Sequence, residues 1–468
     1  MCEILGREFE IEELKKCMNS ARSELILICG RRRIGKTYLI EQFFNQKYAF
    51  SFVGGHNLPQ EIQLRNFKKA LFQYGKFPIN PEINNWFDAF DALELILNKS
   101  KNRKKVIFID EMPWIDNHKS LFINALENFW NAFAARRNDI IFIASGSATS
   151  WMNDKIINNQ GGLHNRVTLQ LFLKPFTLKE TEEYLKSKNI TWDRYQIIQT
   201  YMVTGGVPFY LNLLESSLSL SQNIDLLFFN QHGRLKEEFH ELYPALFTNS
   251  ENYIAVVRAL NDKKSGLTRK EIINTTKIQG GTLTKILKNL ELCDFIKSFT
   301  HFGRANKDSV YRLTDFYTLF YFRFLENNKT MDEAFWSHNI NRPALNSWQG
   351  ITFETVCLTH LNQIKEALKI SGISTEISTW RNENSQIDLV IKRADRIINL
   401  CEIKFSTLPY TISAEYADKL RFRQAEFIAA TRTKYGIINT FITVYGVLNG
   451  KNSSIVQSEI TAKSLFDY

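Results

Sequence analysis

The first candidate for chemistry is a short segment near the start of the chain, residues 30–37, which reads GRRRIGKT. It matches the spacing GxxxxGK[ST], in which glycines let backbone N–H groups turn towards phosphate oxygens. The lysine of this motif supplies positive charge to the β- and γ-phosphates, and the hydroxyl after it coordinates Mg²⁺. We therefore predict a site for ATP and Mg²⁺ made by Gly30, Arg31, Arg32, Arg33, Ile34, Gly35, Lys36, Thr37 and Tyr38.

Two adjacent carboxylates, Asp110 and Glu111, are the second candidate. They follow the apolar run 106–109, and ligands of open α/β sheets bind beyond the carboxyl ends of such strands. We expect Asp110 to hold Mg²⁺ together with Thr37. We expect Glu111 to polarise the attacking water as a general base.

A pair of serines, Ser145 and Ser147, follows another apolar run at 140–144. Small polar side chains in this place can contact the γ-phosphate, so Ser147 is a candidate sensor of that phosphate. The alternative, equally open, is that the serines only form the exit from a strand.

The flanking residues predict the strands and the helix that hold these groups. Residues 25–29 (LILIC) are typical of a buried parallel strand, and residues 38–44 continue the phosphate-binding segment as an amphipathic helix. With the runs at 106–109 and 140–144, they predict an α/β fold built on a P-loop core.

Residues 6–8 (GRE), Glu10 and Leu14, taken with GRRRIGKT, IDE and SGS, resemble the AAA+ superfamily. The match is to its signal-transducing (STAND) group, in the archaeal-type ATPase branch. The resemblance implies a P-loop ATPase core over residues 1–170, with Arg7 at the nucleotide. It also implies a helical lid and linker over 171–248, in which GGVP at 205–208 packs over the nucleotide and Pro208 contacts it. Without the resemblance, GGVP predicts only a helix stop and a turn.

Arg166 falls where related ATPases place an arginine that senses the γ-phosphate, in some cases from a neighbouring subunit. Such an arginine can neutralise charge in the transition state, and its action between subunits makes a homo-oligomer possible. A surface arginine or a structural ion pair is the alternative.

Residues 249–325 are predicted to form a winged helix. A first helix covers 253–260, Thr268 and Glu271 have the spacing of a capping box that opens a second, and 280–292 has the pattern of a recognition helix. Two strands, at 294–302 and 309–313, are expected around a turn at 303–306.

This module could place Thr282, Lys285 and Lys288 in the major groove of DNA. It could equally serve as an internal packing module, and both interpretations stay open. The aromatic run at 315–324 is interpreted as core or domain interface, because core use of such runs is more common than base stacking.

Four charged residues in the C-terminal segment 326–468 could support phosphodiester hydrolysis. Strand alternation puts Glu402 and Lys404 on one face of the run 397–404, and Asp388 belongs to the preceding run. If these runs are neighbouring strands, Asp388 and Glu402 bind Mg²⁺, and Glu354 adds a ligand from an earlier helix. Lys404 then orients or deprotonates the attacking water, or offsets phosphate charge.

The order Glu…Asp…Glu-x-Lys resembles the PD-(D/E)xK nuclease superfamily, although Ile387 stands where the proline would be. The resemblance implies an α/β, restriction-endonuclease-like domain. Many ATPases of the archaeal-type branch carry such a domain at the C-terminus, often with eroded nuclease residues. Ordinary exposed strand charges are the alternative, since D…ExK is frequent by chance.

Composition bounds the partners. The formal net charge of +10 suggests contact with a polyanion such as DNA, although a general excess of lysine has the same effect. Six scattered cysteines without a CxxC pair argue against a zinc site or a disulfide framework. Without a signal-peptide pattern or an apolar stretch near the ~20 residues that cross a bilayer, we expect a cytoplasmic protein with no membrane partner.

Two functions are consistent with these observations. The first is an ATP-hydrolysing regulator coupled to a Mg²⁺-dependent, nuclease-like, DNA-interacting C-terminal domain. The second is a nucleotide-switched regulator that binds DNA without cutting it. A scaffold that selects protein partners by its ATP state has no direct support from the sequence.

Overall fold

The computed structural model describes residues 4–75, 82–117, 119–157, 161–163, 165–303, 309–328 and 331–467. The chain divides into two compact units, Met1–Lys174 and Pro175–Tyr468. Among the residues that are described, no helix is both long enough and apolar enough to cross a bilayer.

The first unit is built on a five-stranded sheet in the order β2-β3-β4-β1-β5, with every neighbouring pair parallel. Its strands are β1 Glu24–Cys29, β2 Phe50–Val53, β3 Lys105–Asp110, β4 Ile140–Gly146 and β5 Leu169–Phe172. Its helices are α1 Glu8–Asn19, α2 Lys36–Phe43, α3 Gln60–Gly75, α4 Trp86–Lys99, α5 Phe122–Asn128 and α6 Thr149–Met152.

The three predicted strands of this sheet are confirmed to within two residues at each end. Every residue of β1, β3 and β4 is buried, because helices cover both faces of the sheet and apolar side chains pack on either side. Strand β4 lies between β1 and β3. The segments that follow these three strands are therefore neighbours at one edge of the sheet.

The second unit contains an eight-stranded sheet in the order β13-β12-β11-β10-β9-β7-β8-β6. Its strands are β6 Leu267–Thr268, β7 Ile296–His301, β8 Val310–Leu313, β9 Thr375–Arg381, β10 Gln386–Arg393, β11 Ile397–Lys404, β12 Gly436–Thr443 and β13 Ser458–Thr461. Its helices are α7 Leu178–Ser187, α8 Arg194–Thr204, α9 Pro208–Asn212, α10 Leu220–Ile224, α11 Glu238–Leu246, α12 Ser250–Asp262, α13 Arg269–Thr276, α14 Gly280–Leu292, α15 Phe316–Phe320, α16 Phe335–Asn339, α17 Pro343–Thr359, α18 Leu361–Ala367 and α19 Ala414–Thr431.

Shorter helical turns complete both units. The 3₁₀ segments are Met112–Trp114, Ala134–Arg136, Ser453–Ile455 and Ala462–Phe466. The π-helical turns are Phe129–Phe133, Asn153–Ile157, Asp225–Phe229 and Tyr321–Leu325.

The elements expected over 249–325 are present. Thr268 caps α13, with its side chain accepting from the Glu271 N–H and the Glu271 carboxylate accepting from the Thr268 N–H. Helix α14 begins and ends where the sequence predicts a recognition helix. Strands β7 and β8 pair antiparallel after it. The predicted wing turn falls mostly on 304–306, which lies outside the described residues.

Strand β7 also pairs with β9, in parallel, and this pairing was not predicted. It joins the segment 249–325 and the C-terminal segment 326–468 into one continuous sheet. The aromatic run at 315–324 forms core as expected, with Phe316, Tyr317 and Phe320 at most 4% exposed. The division into four domains stays a prediction.

Candidate functional site

The phosphate-binding segment curls around the amine of Lys36. Its Nζ donates to the carbonyl oxygens of Gly30, at 3.0 Å, and Arg31, at 3.1 Å. Gly30 has a φ of +145°, and a Cβ there would lie 2.6 Å from the carbonyl oxygen of Leu173. Gly35 has a φ of +87° and immediately precedes α2. The two glycines therefore permit a loop that other residues would strain.

Arg7 supports this loop from behind. Its Nη2 donates to the carbonyl oxygen of Ile34, at 3.2 Å, and to that of Lys174, at 2.8 Å, and the side chain is buried. Arg7 therefore lies at the predicted nucleotide site, where it holds the backbone of the loop.

The remaining predicted nucleotide contacts differ in exposure. Arg31 and Ile34 are buried, Arg32 and Arg33 are half-buried, and Tyr38 is 46% exposed on the first turn of α2. Their contacts with a nucleotide stay predictions.

The two predicted Mg²⁺ ligands of the first unit touch each other. Thr37 Oγ1 donates to Asp110 Oδ2 at 2.7 Å. The other oxygen, Oδ1, accepts from the Ser145 hydroxyl and, at 3.0 Å, from the Glu111 N–H. All donors to Asp110 in these bonds are neutral groups, and Ser145 was not predicted to contact it.

Glu111 is held by the residue predicted to sense phosphate. Ser147 donates to Glu111 Oε2 from its N–H, at 3.1 Å, and from its hydroxyl, at 2.8 Å. Glu111 itself has a φ of +46°, an uncommon backbone conformation for a non-glycine residue. The structure therefore brings the predicted base and the predicted sensor together, with Ser147 fixing the carboxylate.

Gly54 lies beside the acid pair and was not predicted from the sequence. It follows β2, and its N–H donates to the Asp110 carbonyl at 2.9 Å. A Cβ at Gly54 would lie 2.5 Å from the Glu111 carbonyl oxygen, so the acid pair needs a glycine here. The Gly54-Gly55 pair after the short run 50–53 was the available signal.

Arg166 is not brought to the phosphate-binding loop. It is exposed and lies three residues before β5, whose Leu169 pairs with Ile26 early in β1. In a parallel pair this is the amino edge, whereas the loop leaves the carboxyl edge of β1. Arg166 thus lies near the amino end of the strand, and its role as a sensor of the γ-phosphate, from its own chain or from a neighbouring subunit, stays a prediction.

Pro208 begins α9 in the second unit, after Gly205 ends α8 with a φ of +63°. The stop and turn predicted for GGVP are thus confirmed. A Cβ on Gly206 would lie 2.2 Å from the Phe176 carbonyl oxygen, so this turn requires glycine. The contact of Pro208 with nucleotide stays a prediction.

The four charged residues of the C-terminal segment line one cavity of about 730 Å³. Strands β10 and β11 pair antiparallel, with Leu389 opposite Cys401, so Asp388 and Glu402 are neighbours across the pair. Lys404 ends β11, and Glu354 enters from α17. The predicted convergence of these side chains is confirmed.

Glu402 is surrounded by cations and a phenol. Its carboxylate accepts from Arg423 Nη2 at 2.6 Å and from the Tyr416 hydroxyl, and Lys404 Nζ lies 2.8 Å away. Burial acts to raise the pKa of Glu402, but the charges of Arg423 and Lys404 outweigh it and hold the pKa below the usual value. Arg423 and Tyr416 lie on α19 and were not predicted.

Lys404 is held in its charged form. Burial acts to lower its pKa, but the neighbouring Glu402 outweighs burial and raises the pKa above the usual lysine value. Of the roles predicted for Lys404, this favours orienting water or offsetting phosphate charge over removing a proton.

Asp388 also has a charged partner and a polar partner. Its Oδ1 lies 3.3 Å from Arg312 Nη2, on β8, and 2.5 Å from Gln386 Nε2. Burial and the Asp388 charge raise the pKa of Glu354 to about 8. Within the described ranges, no three His, Cys, Asp or Glu side chains are arranged to hold a metal ion. Arginine and lysine side chains instead form ion pairs with Asp388 and Glu402 in this cavity.

The proposed DNA-contacting residues of α14 share one face. Thr282, Lys285 and Lys288 are exposed, whereas Leu283 and Ile286 are buried in the core. The helix thus presents a polar face in the expected register, and its contact with DNA stays a prediction.

Two family models match the chain. Residues 4–214 match a model described as an ATPase domain predominantly from Archaea. Residues 321–418 match a model described as Archaea bacterial proteins of unknown function.

Two curated relatives come from Methanocaldococcus jannaschii. An uncharacterized protein is 24% identical over 410 residues, which cover 86% of this chain and 88% of that protein. An uncharacterized ATP-binding protein is 42% identical over 43 residues, which cover 9% of this chain and 73% of that protein.

Solved structures that match this chain include a Walker-type ATPase of Pyrococcus abyssi, at 18% identity and a TM-score of 0.47, covering 69% of this chain and 96% of that one. They also include the Aeropyrum pernix ORC2 protein in ADPNP–ADP complexes, at 15% identity and a TM-score of 0.44, covering 67% and 90%. A STAND protein with a tetratricopeptide repeat sensor from Pyrococcus horikoshii has 18% identity and a TM-score of 0.31, covering 79% and 52%.

The phosphate-binding loop, the acid pair beside it and the family match over residues 4–214 agree with one another. The chain therefore carries an ATP-binding, archaeal-type P-loop ATPase domain.

Proposed function

We propose that this protein is a regulator that hydrolyses ATP in its first unit and acts on DNA through a nuclease-like C-terminal region. The observation that carries the proposal is the contact of Thr37 with Asp110, at 2.7 Å, with Glu111 next in the chain. A hydroxyl, a carboxylate and a candidate base stand together at the carboxyl edge of a parallel sheet, beyond which ligands of such sheets bind.

The donors at this edge fit Mg²⁺. The Thr37 hydroxyl and the Asp110 carboxylate are hard oxygen donors, and the hydrogen bond between them supports the proposal that both bind one small cation. Mg²⁺ bound with ATP would neutralise charge on the β- and γ-phosphates.

The chain's own residues supply the rest of the proposed hydrolysis. Lys36, whose amine lies on the loop carbonyls, turns to the phosphates when ATP occupies the loop. Glu111 accepts a proton from the attacking water, and Ser147 fixes its orientation through two hydrogen bonds. Arg7 keeps the loop backbone in place.

Arg166 acts, in this proposal, on a neighbouring subunit of a homo-oligomer. Its exposure and its place at the amino edge of the sheet support a role outside its own chain. An arginine supplied from outside can stabilise transition-state charge in phosphoryl transfer.

The C-terminal cavity supports the second half of the proposal. Glu354, Asp388, Glu402 and Lys404 line it together, which is the residue set that metal-assisted phosphodiester hydrolysis needs. The carboxylates have the chemistry to hold Mg²⁺, and Lys404 would offset charge on a scissile phosphate. The exposed face of α14, with Thr282, Lys285 and Lys288, would bind the DNA itself.

A second candidate function is a nucleotide-switched regulator that binds DNA without cutting it. The ion pairs of Asp388 with Arg312, and of Glu402 with Arg423 and Lys404, favour it. Under this alternative the carboxylates serve the fold and the lysines of α14 provide salt-dependent binding.

Phosphate release from ATP tests the first half of the proposal. The full chain should release phosphate with Mg²⁺, the Lys36→Ala variant should lose ATP binding, and Glu111→Gln should bind ATP without turnover. Glu61→Gln, an exposed acid on α3, is the control that should leave turnover unchanged. Turnover that survives in both active-site variants would reject the assignment.

Plasmid and linear DNA, incubated with Mg²⁺ or Mn²⁺ and with or without ATP, separate the two functions. Cutting that disappears in Lys404→Ala supports the nuclease-like domain, and its loss in Lys36→Ala shows control by ATP. Intact DNA together with salt-dependent binding that is lost in Lys285→Glu/Lys288→Glu supports the non-cleaving regulator.

A further inference from the structure

Arg312 lies outside the segment to which the C-terminal site was assigned, yet it contacts that site. It belongs to β8, in the segment 249–325, and its Nη2 lies 3.3 Å from Asp388 Oδ1 on β10. The strand order β10-β9-β7-β8 connects the two residues through a continuous sheet. Because β7 pairs with β9, the guanidinium of Arg312 in one predicted domain contacts the carboxylate of Asp388 in the other.

The guanidinium of Arg312 is enclosed. The residue is 7% exposed, and its Cζ lies 5.7 Å from the centre of the Phe299 ring. Its Nε is buried and makes no hydrogen bond within the described part of the chain. A buried guanidinium stays charged, so Arg312 is a fixed positive charge whose partner in the cavity wall is Asp388.

Two donors converge on the same oxygen of Asp388. Both Arg312 Nη2 and Gln386 Nε2 donate hydrogen bonds to Oδ1. No hydrogen bond to Oδ2 is found among the residues that the structure describes. The two donors thus fix the orientation of the Asp388 carboxylate. A divalent cation that approaches Oδ2 would be repelled by the nearby charge of Arg312.

We propose that Arg312 is a built-in counter-ion of Asp388 that lowers the affinity of the C-terminal cavity for a divalent cation. The proposal rests on the proposed metal-dependent function of that cavity and adds its regulation.

Binding of Mn²⁺, measured by electron paramagnetic resonance in the absence of nucleotide, tests the proposal on the full chain. Every protein carries Asp110→Asn, so that the first unit does not contribute a site. Two variants remove the positive charge: Arg312→Gln, and Arg312→Met, which replaces the guanidinium beside Phe299 with an apolar side chain. Both should bind Mn²⁺ more tightly by roughly tenfold. Arg312→Lys, which keeps the charge, should bind like the parent.

The matched control is Arg381→Gln. Arg381 also links β9 to the segment 249–325, through Ser265 at 2.9 Å and Glu271 at 3.5 Å, but contacts none of the cavity carboxylates in these bonds. Its variant should bind Mn²⁺ like the parent. Thermal unfolding of each variant identifies any that fails to fold.

Three results would overturn the proposal. Equal or weaker Mn²⁺ binding in the folded charge-free variants excludes a counter-ion role. Equal tightening in Arg381→Gln assigns the effect to a loosened sheet. Absence of Mn²⁺ binding in the parent and in every variant rejects the metal-dependent function itself. That result differs from the first two, which reject only the counter-ion role of Arg312.

Discussion

The two acid clusters of this protein lie at comparable places, beside the ends of buried strands, but their hydrogen-bond partners differ. In the first unit, Asp110 and Glu111 accept from hydroxyl and backbone N–H groups. In the second unit, Asp388 and Glu402 accept mainly from guanidinium and ammonium groups. The first cluster keeps its negative charge uncompensated by cations in these bonds, whereas the second is neutralised within the protein.

This difference determines which contacts a divalent cation would have to replace in order to bind to each cluster. A hydroxyl rotates, and its oxygen can itself become a ligand, so Mg²⁺ can replace the contact between Thr37 and Asp110 without separating charges. A cation that approaches Asp388 or Glu402 must overcome or displace an arginine. The carboxylates of the first unit are therefore held by neutral donors, whereas those of the second unit are held mainly by cationic side chains.

The largest expected effect is loss of ATP hydrolysis in Asp110→Asn. The variant keeps an oxygen for Thr37 but removes the negative charge that we propose holds Mg²⁺, so turnover should fall by roughly 10²- to 10³-fold. Phosphate release against Mg²⁺ concentration measures this change. Asp116→Asn, in the segment that follows β3 but bonded to Ser120 and Trp151, is the control. Equal losses in both variants would contradict the assignment of Asp110.

Loss of one arginine charge beside Glu402 should lower the stability of the second unit. Arg423→Gln leaves Glu402 without one of its charged partners, and breaking a largely buried pair should cost about 2–3 kcal/mol of unfolding free energy. Arg421→Gln, two residues away on α19, breaks an exposed pair with Asp418 and should cost less than about 0.5 kcal/mol. Calorimetric unfolding separates the two. Similar small shifts in both would show that Glu402 is adequately held without Arg423.

Acid should loosen the second unit through His360. Its Nε2 accepts from the Leu178 N–H at 3.0 Å, so Nδ1 carries the proton and donates to the Val356 carbonyl at 2.8 Å. Burial lowers the pKa of His360 to about 4. Because the unfolded imidazole titrates near 6.5, the unfolded state binds more protons between these values and stability falls as pH drops through that window.

The size of this effect is bounded by about 1.4 kcal/mol per pH unit below pH 6.5. Hydrogen–deuterium exchange at pH 7 and pH 5 should show loss of protection around residues 175–185 and 355–365. His360→Gln should lose most of the pH dependence. An unchanged pH response in that variant would assign the acid sensitivity to other groups.

The smallest expected effect concerns Ser147. Ser147→Ala removes one of the two donors that fix Glu111, so turnover should fall by about three- to tenfold, the loss of one hydrogen bond, with ATP affinity unchanged. Ser147→Thr keeps the hydroxyl and should retain most of the activity. A loss of ATP affinity in Ser147→Ala would instead favour direct contact between Ser147 and the phosphates.

Local motifs explain why much of the first site was predictable. The strand, the loop and the helix around Lys36 are contiguous in sequence, and their residue types predict their local conformation. The capping box at Thr268 and the alternation that pairs Glu402 with Lys404 are predictable for the same reason. In each case the atoms that meet are within a few residues or on one strand.

The rest depends on contacts between distant elements. Arg312 reaches Asp388 only because β7 pairs with β9, and Arg423 reaches Glu402 only because α19 packs over β11. Neither pairing leaves a local pattern in the sequence. The place of Arg166 near the amino end of β5 likewise follows from the direction of that strand in the sheet and not from spacing along the chain.

The identity of the nucleotide retained by the protein tests the central claim, that the first unit is a working ATPase, most directly. The full chain and Glu111→Gln are incubated with ATP and Mg²⁺, separated from free nucleotide, and their bound nucleotide is identified by chromatography. We expect ADP on the unaltered protein and ATP on Glu111→Gln, because the variant binds without a base to activate water. ADP on both proteins, or nucleotide on neither, would contradict the account.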